Sequence, residues 1–230
     1  NYQLQKEKRA SEALSNVRAP LNPSTPIPAG TADAYLKVSK EFAGTKAAAR
    51  ALLLAASTKY VEGGYAESQK LFEQFTKEYG DSPWLAQAYY GIAAALEAQQ
   101  KPAEAIAKYE DVRRRFGSDP VADQTKLALA RLYEQQNKPA EALKLYEELT
   151  GPNASSGFGS EAYARREELL EKHPELKPTV PPTLSANTLQ QLTNQVMKTM
   201  TNQVATNRAV ITNKAGSAAV KPPQAAAPVT

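Results

Sequence analysis

The chain has 230 residues, of which 42% are hydrophobic and 23% charged, a composition typical of one globular domain with appendages. Its net charge of +4 arises beyond Glu175, where five basic residues and no acidic one follow, while residues 1–176 hold 23 basic against 24 acidic residues. This even balance argues against a nucleic-acid-binding face, and the absence of cysteine excludes disulfides and thiolate chemistry.

The chain opens with a charged stretch over residues 1–17, which is predicted to be helical because apolar residues recur there at helical spacing: Leu4, Ala10, Leu14 and Val17. Four prolines between Ala19 and Ala29 end that helix and predict an extended linker over residues 18–30. No window of the chain reaches the roughly 18 apolar residues of a membrane span. Because the chain begins at Asn1 rather than at methionine, we expect a signal peptide or a membrane anchor upstream.

From Thr31 onward the sequence repeats itself with an offset of 37 residues, and this feature decides the predicted fold. The offset brings equivalent positions of the three units into register. In the first helix of each unit it aligns the small residues Ala56, Ala93 and Ala130. In the second helix it aligns the small residues Ser68, Ala105 and Ala142 and the aromatic residues Phe72, Tyr109 and Tyr146. Small residues let two helices approach closely, and the aromatic residues fill the space between successive pairs. The pattern predicts an all-α solenoid of antiparallel helix pairs over residues 31–173.

Each 37-residue unit is predicted to contain two helices, and proline is tolerated at the first turn of several of them because the amide there has no partner. These helices are expected at Lys46–Glu62 with Tyr65–Tyr79, Pro83–Gln99 with Pro102–Phe116, and Pro120–Gln136 with Pro139–Leu149. A lone helix at Thr31–Phe42 precedes them. A glycine-rich loop over residues 151–159 follows, and the next helix, Ser160–Lys172, is interpreted as the cap that a solenoid needs.

From Pro174 to Thr230 the composition shifts to Pro, Ala, Thr, Asn and Gln, which bury too little apolar surface to offset the entropy of ordering. We therefore predict that this low-complexity tail, residues 174–230, is mostly disordered. One stretch inside it, residues 187–211, is a possible amphipathic helix, because apolar residues lie three or four apart: Leu189, Leu192, Val196, Met200 and Val204.

The small-residue and aromatic pattern resembles the tetratricopeptide repeat family, although the usual repeat of that family has about 34 residues. The three extra residues fall in the junctions Tyr79–Pro83 and Phe116–Pro120, which resemble those of Tol-Pal-associated proteins and outer-membrane assembly lipoproteins. The order of a charged helix, a linker, a lone helix and repeats is similar to the ancillary SecYEG translocon subunit family. That similarity implies a membrane-anchored protein on the periplasmic side of the bacterial inner membrane. An outer-membrane-associated periplasmic protein and a cytoplasmic protein are the alternatives.

The tetratricopeptide resemblance also implies a concave groove, lined by the first helix of each pair, in which a protein or peptide binds. Transferred by register, the groove-facing positions of the family are Arg50, Leu53, Ser57, Tyr60, Gln87, Tyr90, Ala94, Glu97, Gln124, Leu127, Arg131 and Glu134. These positions lack the lysines and asparagines with which other tetratricopeptide domains clamp acidic C-termini. Trp84, directly after Pro83, is expected to pack between units or to serve as a binding hot spot.

The residues predict a binding protein and not an enzyme. His173 is the only histidine, which excludes a catalytic or metal site with more than one imidazole, and we expect it to interact with carbonyls at a helix end. The glycine-rich loop lacks the Gly-Lys-Ser/Thr of a phosphate site. The run Arg113–Arg115 is expected to face the negative end of its helix, with an anion or lipid-headgroup contact as the alternative.

These observations predict no cofactor, no metal, no small-molecule substrate and no nucleic-acid partner. The expected function is a membrane-anchored envelope adaptor that holds a polypeptide related to secretion or to chaperones. The alternative is a soluble or lipid-anchored component of outer-membrane or cell-wall assembly.

Overall fold

The computed structural model describes residues 2–17, 25–151, 157–178, 190–191 and 193–201, and every regular element within these ranges is helical. The chain divides into two compact units, Asn1–Lys177 and Pro178–Thr230. The helices of the first unit are α1 (Tyr2–Ser15), α2 (Thr31–Glu41), α3 (Lys46–Val61), α4 (Tyr65–Glu78), α5 (Leu85–Ala98), α6 (Pro102–Arg115), α7 (Val121–Gln135), α8 (Pro139–Thr150) and α9 (Gly159–Lys172). From α2 to α9 each helix packs against its neighbour in the chain, which confirms the predicted all-α solenoid.

The three helix pairs, α3 with α4, α5 with α6 and α7 with α8, pack through the small residues that the 37-residue offset aligns. Those in the first helix of each pair are fully buried, and so are their partners in the second: Ala56, Ala93, Ala130, Ser68, Ala105 and Ala142. In the first pair the Ser68 hydroxyl donates a hydrogen bond of 2.8 Å to the carbonyl of Ala56. The helices can approach this closely because no large side chain stands between their backbones.

The junctions between pairs hold the three extra residues of each repeat. Ser82 accepts a hydrogen bond from the amide of Trp84, and Asp119 accepts one from the amide of Val121, so both satisfy a free donor at the start of a helix. Helices α5 and α7 begin at Leu85 and Val121, after the prolines at which their starts were predicted. In α6 and α8, by contrast, the proline occupies the first helical position, where its missing amide hydrogen costs nothing.

Helix α1 packs against α2 and α3 within the first compact unit. Ala10 is fully buried, and Leu14 and Val17 contact the hydrophobic core. The two oxygens of the Glu7 carboxylate accept hydrogen bonds of 2.9 Å from the amides of Lys46 and Ala47. Together with the bond from the amide of Ala48 to the Thr45 hydroxyl, they satisfy the first turn of α3.

The start of α1 lies at the end of α2, where the Lys6 ammonium donates a hydrogen bond of 2.8 Å to the carbonyl of Ala43. The end of α1 lies at the start of α2, because Val17 shares a cleft with Pro28 and Thr31. The two helices are therefore antiparallel, as the two helices of a repeat are. Residues 18–24, in the predicted linker, lie outside the described part of the chain.

Helix α9 packs on α8 and buries Ala162, Leu169 and Leu170 at the C-terminal end of the stack. A 3-10 turn, Pro174–Leu176, contacts α9, and the first unit ends at Lys177 instead of the predicted residue 173. In the second unit, residues 190–191 and 193–201 are helical, within the stretch where the apolar spacing predicts an amphipathic helix. Most of the predicted disordered tail, including Leu189, Leu192 and Val204, lies outside the described residues.

Candidate binding groove

The first helices of the three pairs form one continuous surface, since α3 contacts α5 and α5 contacts α7. Ten of the twelve predicted groove residues have solvent access on this surface. The exposed ones are Arg50, Gln87 and Gln124, and the half-buried ones are Ser57, Tyr60, Tyr90, Ala94, Glu97, Arg131 and Glu134. Their side chains are available to a partner without any change of the fold.

A cleft of 310 Å³ lies in the middle of this surface, and we call it the central cleft. Six residues predicted from the sequence line it together: Ser57, Tyr60, Gln87, Tyr90, Ala94 and Gln124. Val61, Phe72 and Gly91 complete the lining, so the cleft contains no charged side chain. Aromatic walls with amide groups at the rim are typical of sites that bury an apolar side chain and hydrogen-bond to a polypeptide backbone.

Two carboxylates of the groove accept hydrogen bonds from buried tyrosines of the second helices. The Tyr109 hydroxyl donates a hydrogen bond of 2.9 Å to Glu97, and the Tyr146 hydroxyl donates one to Glu134 in the next repeat. Burial is the main cause that raises the pKa of both tyrosines well above its usual value, so both remain neutral donors. Each bond orients a carboxylate on the groove surface.

The first repeat departs from this pattern at both positions. An offset of 37 residues places Tyr60 where the later repeats have Glu97 and Glu134, and Phe72 where they have the hydroxyl-bearing tyrosines. Tyr60 instead packs edge-on against Tyr65, with ring centroids 5.2 Å apart. The groove is therefore aromatic near α3 and carries carboxylates near α5 and α7.

The structure corrects two of the predicted groove residues. Leu53 and Leu127 are 5% and 4% exposed and belong to the hydrophobic core, so neither can contact a partner in this fold. The neighbouring Leu54 is half-buried and lines a cleft between α1 and α3. The run Leu52-Leu53-Leu54 contains no local signal that identifies which leucine faces outward.

Arg131 occupies the same surface, within electrostatic reach of Tyr60, Tyr90 and Tyr146. Its buried Nε has no hydrogen-bond partner among the described residues. A buried donor without an acceptor is energetically unfavourable.

The other candidate groups of the sequence have structural partners. The Nδ1 atom of His173 lies 3.0 Å from a Glu175 carboxylate oxygen, and not at the helix carbonyls where it was expected. In the described part of the chain, no group of three or more His, Asp or Glu side chains is placed to hold a metal ion. The search for membrane spans, limited to the same part, finds no helix with the length and apolar character to cross a bilayer.

The run Arg113–Arg115 is neutralised within the fold. Arg113 pairs with Glu110 at 3.4 Å and with Glu148 of α8 at 3.8 Å, while Arg114 and Arg115 both pair with Asp111. The Arg115 guanidinium also lies 4.3 Å from the centre of the Tyr89 ring. These contacts account for all three cations without an external anion.

The sequence profile of the tetratricopeptide repeat family matches residues 53–120 and, again, residues 90–157. The two matches begin 37 residues apart, which is the period of the helix pairs. Residues 53–157 therefore match the tetratricopeptide repeat family. No curated protein sequence matches the chain.

Two solved structures are similar to parts of this chain at low sequence identity. A putative kinesin light chain with nearly identical repeats, from Podospora anserina, is 15% identical with a TM-score of 0.51, over 86% of this chain and 96% of that one. The Yersinia enterocolitica type III secretion chaperone SycD, in complex with a peptide of the translocator YopD, is 20% identical with a TM-score of 0.44, over 53% of this chain and 88% of that one. At 15% identity the likeness to the kinesin light chain is one of fold alone.

Proposed function

We propose that this tetratricopeptide chain is a non-catalytic scaffold that binds a segment of another polypeptide in its groove. The central cleft carries this proposal, because it combines Tyr60 and Tyr90 with the amides of Gln87 and Gln124 on the packed helices α3, α5 and α7. Its volume of 310 Å³ is at the low end of the roughly 300–1,000 Å³ of ligand sites, which suits one bulky side chain of a longer partner.

The ionisable groups of the groove are suited to binding and not to acid–base catalysis. The tyrosines beneath Glu97 and Glu134 have raised pKa values and donate hydrogen bonds in their neutral form. A general acid or base requires a pKa near the working pH, which burial moves these tyrosines away from. A preformed surface of helices, by contrast, lowers the entropy lost when a partner binds.

Site-specific photocrosslinking tests the proposal. A photoreactive phenylalanine is placed at Tyr60 or Tyr90 in the full chain, and at Lys108 on the exposed side of α6 as a control. After irradiation in a lysate of the source organism, mass spectrometry is expected to identify the same polypeptide at both groove positions and not at Lys108. Equal capture at all three positions, or none at the groove, would contradict the proposal.

We further propose that the scaffold is a membrane-anchored adaptor of the bacterial envelope, on the periplasmic side of the inner membrane. The order of a charged helix, a linker, a lone helix and repeats supports this role. A soluble or lipid-anchored component of outer-membrane or cell-wall assembly is the alternative. Fractionation of the full-length gene product distinguishes them, because the adaptor is expected in inner membranes and released only by detergent, whereas the alternative is expected in outer membranes or the soluble periplasm.

A further inference from the structure

Helix α1 extends the groove beyond the three repeats and encloses a second cleft of 970 Å³, which we call the α1 cleft. Leu14 of α1, Tyr35 of α2 and Leu54 of α3 supply apolar surface, and Trp84 closes the cleft from the start of α5. Trp84 is half-buried and packs against the core with part of its surface, which leaves the rest accessible.

The α1 cleft is continuous with the groove. On α3, residues Arg50, Leu54 and Ser57 lie at successive steps of four and three, so they share one helix face. Arg50 and Leu54 line the α1 cleft, and Ser57 lines the central cleft. One partner segment that crosses the face of α3 can therefore occupy both clefts.

The charges of the α1 cleft are unbalanced. Both oxygens of Glu7 are engaged with backbone amides of α3. Lys46 and Arg50 are exposed, and neither forms an ion pair with any residue that the structure describes. The lining of the cleft thus carries two cations and one carboxylate, a net charge of +1, beside an apolar surface.

We propose that the α1 cleft binds the part of a polypeptide partner in which an acidic side chain stands beside a bulky apolar one. This inference rests on the proposed function, since it specifies the partner of the same groove. The planar Arg50 guanidinium suits a carboxylate, which it can bind with two hydrogen bonds, and Trp84 and Leu54 provide the contact for the apolar side chain. A basic segment would be repelled by Lys46 and Arg50.

Three fluorescent 12-residue peptides test the charge preference on the full chain. The first alternates glutamate with leucine and phenylalanine between Gly-Ser ends, the second has glutamine in place of glutamate, and the third has lysine. We expect fluorescence anisotropy to give the tightest binding for the glutamate peptide, about tenfold tighter than for the glutamine peptide, and the weakest for the lysine peptide. Equal affinities for the three peptides would overturn the inference.

Two charge reversals locate the interaction. Arg50→Glu is expected to weaken binding of the glutamate peptide about tenfold or more and to strengthen binding of the lysine peptide. Lys108→Glu changes the charge of the chain by the same amount on the exposed side of α6 and is expected to leave both affinities within about twofold. If Lys108→Glu has the effect of Arg50→Glu, the preference reflects the charge of the whole chain, and the α1 cleft is not its source.

A third variant tests the apolar contact. Trp84→Ala is expected to weaken the glutamate and glutamine peptides by the same factor, because it removes a contact that both share. Circular dichroism of each variant confirms that the helices are retained. If crosslinkers at Tyr60 and Tyr90 capture a polypeptide while the three peptides bind equally, this inference fails and the proposed function stands. If neither crosslinking nor peptide binding is observed, both fail.

Discussion

The Glu7 carboxylate bridges α1 to the first turn of α3, and its replacement measures how firmly α1 belongs to the solenoid. Glu7→Ala removes two acceptors that lie 2.9 Å from the amides of Lys46 and Ala47. The Lys46 amide is exposed and can bond to water, whereas the Ala47 amide is partly buried and loses its partner. We therefore expect a loss of about 1–2 kcal/mol, the usual effect of removing a helix cap.

Thermal unfolding followed by circular dichroism checks this value. For a unit of this size, a loss of 1 kcal/mol lowers Tm by about 2–4 °C, so Glu7→Ala is expected to unfold about 2–8 °C below the wild type. Glu12→Ala is the matched control, since Glu12 is an exposed residue of the same helix. Amide hydrogen exchange at Ala47 should also accelerate in Glu7→Ala alone. Equal Tm values and equal exchange in the two variants would refute the role of Glu7 as the cap of α3.

Three further predictions concern the repeats. Gly91→Ala is expected to destabilise the fold by about 1–2 kcal/mol in chemical denaturation, because an added Cβ would lie 2.5 Å from ring atoms of Phe72. A variant more stable than the wild type would contradict this packing. Ser68→Ala is expected to lower the free energy of unfolding by no more than about 1 kcal/mol in the same assay, because the later repeats have alanine at the equivalent position. A larger loss would show that the fold requires the hydrogen bond from Ser68 to the carbonyl of Ala56. Burial and then a hydrogen bond to a carboxylate raise the pKa of Tyr133 from 10.0 to about 12, so its contribution to stability is complete below pH 10 and is lost as pH rises towards 12. Tyr133→Phe should lose less stability than the wild type over this interval, and equal losses would contradict the shift.

The repeat architecture could be predicted from the sequence because each helix pair depends on a few positions whose spacing is fixed. Alanine at position 93 and tyrosine at position 109 recur one period later at 130 and 146, and both sets are buried. Such local regularity is visible in one sequence, since every repeat meets the same packing requirement. Most of the solvent-accessible positions on the first helices also followed by register from these residues.

The contacts of α1 could not be predicted in the same way. Glu7 lies between two lysines in a charged run, and its partners Lys46 and Ala47 are 39 and 40 residues away. No local pattern distinguishes this glutamate from a solvated one such as Glu12. The apolar residues of α1 do indicate a packed face, but they leave its partner undetermined.

The coupled change at Tyr60 and Phe72 limits how freely the repeats can be exchanged. A glutamate at position 60 alone would stand above a phenylalanine ring that cannot donate a hydrogen bond, whereas the later repeats provide a tyrosine hydroxyl 12 residues further on. The groove glutamate of the first helix and the tyrosine of the second helix therefore form a pair. A groove glutamate that is moved into another repeat keeps its hydrogen bond only if the tyrosine is moved with it. Recombination between repeats would preserve the groove only where its breakpoints fall in the junctions, outside the helix pairs.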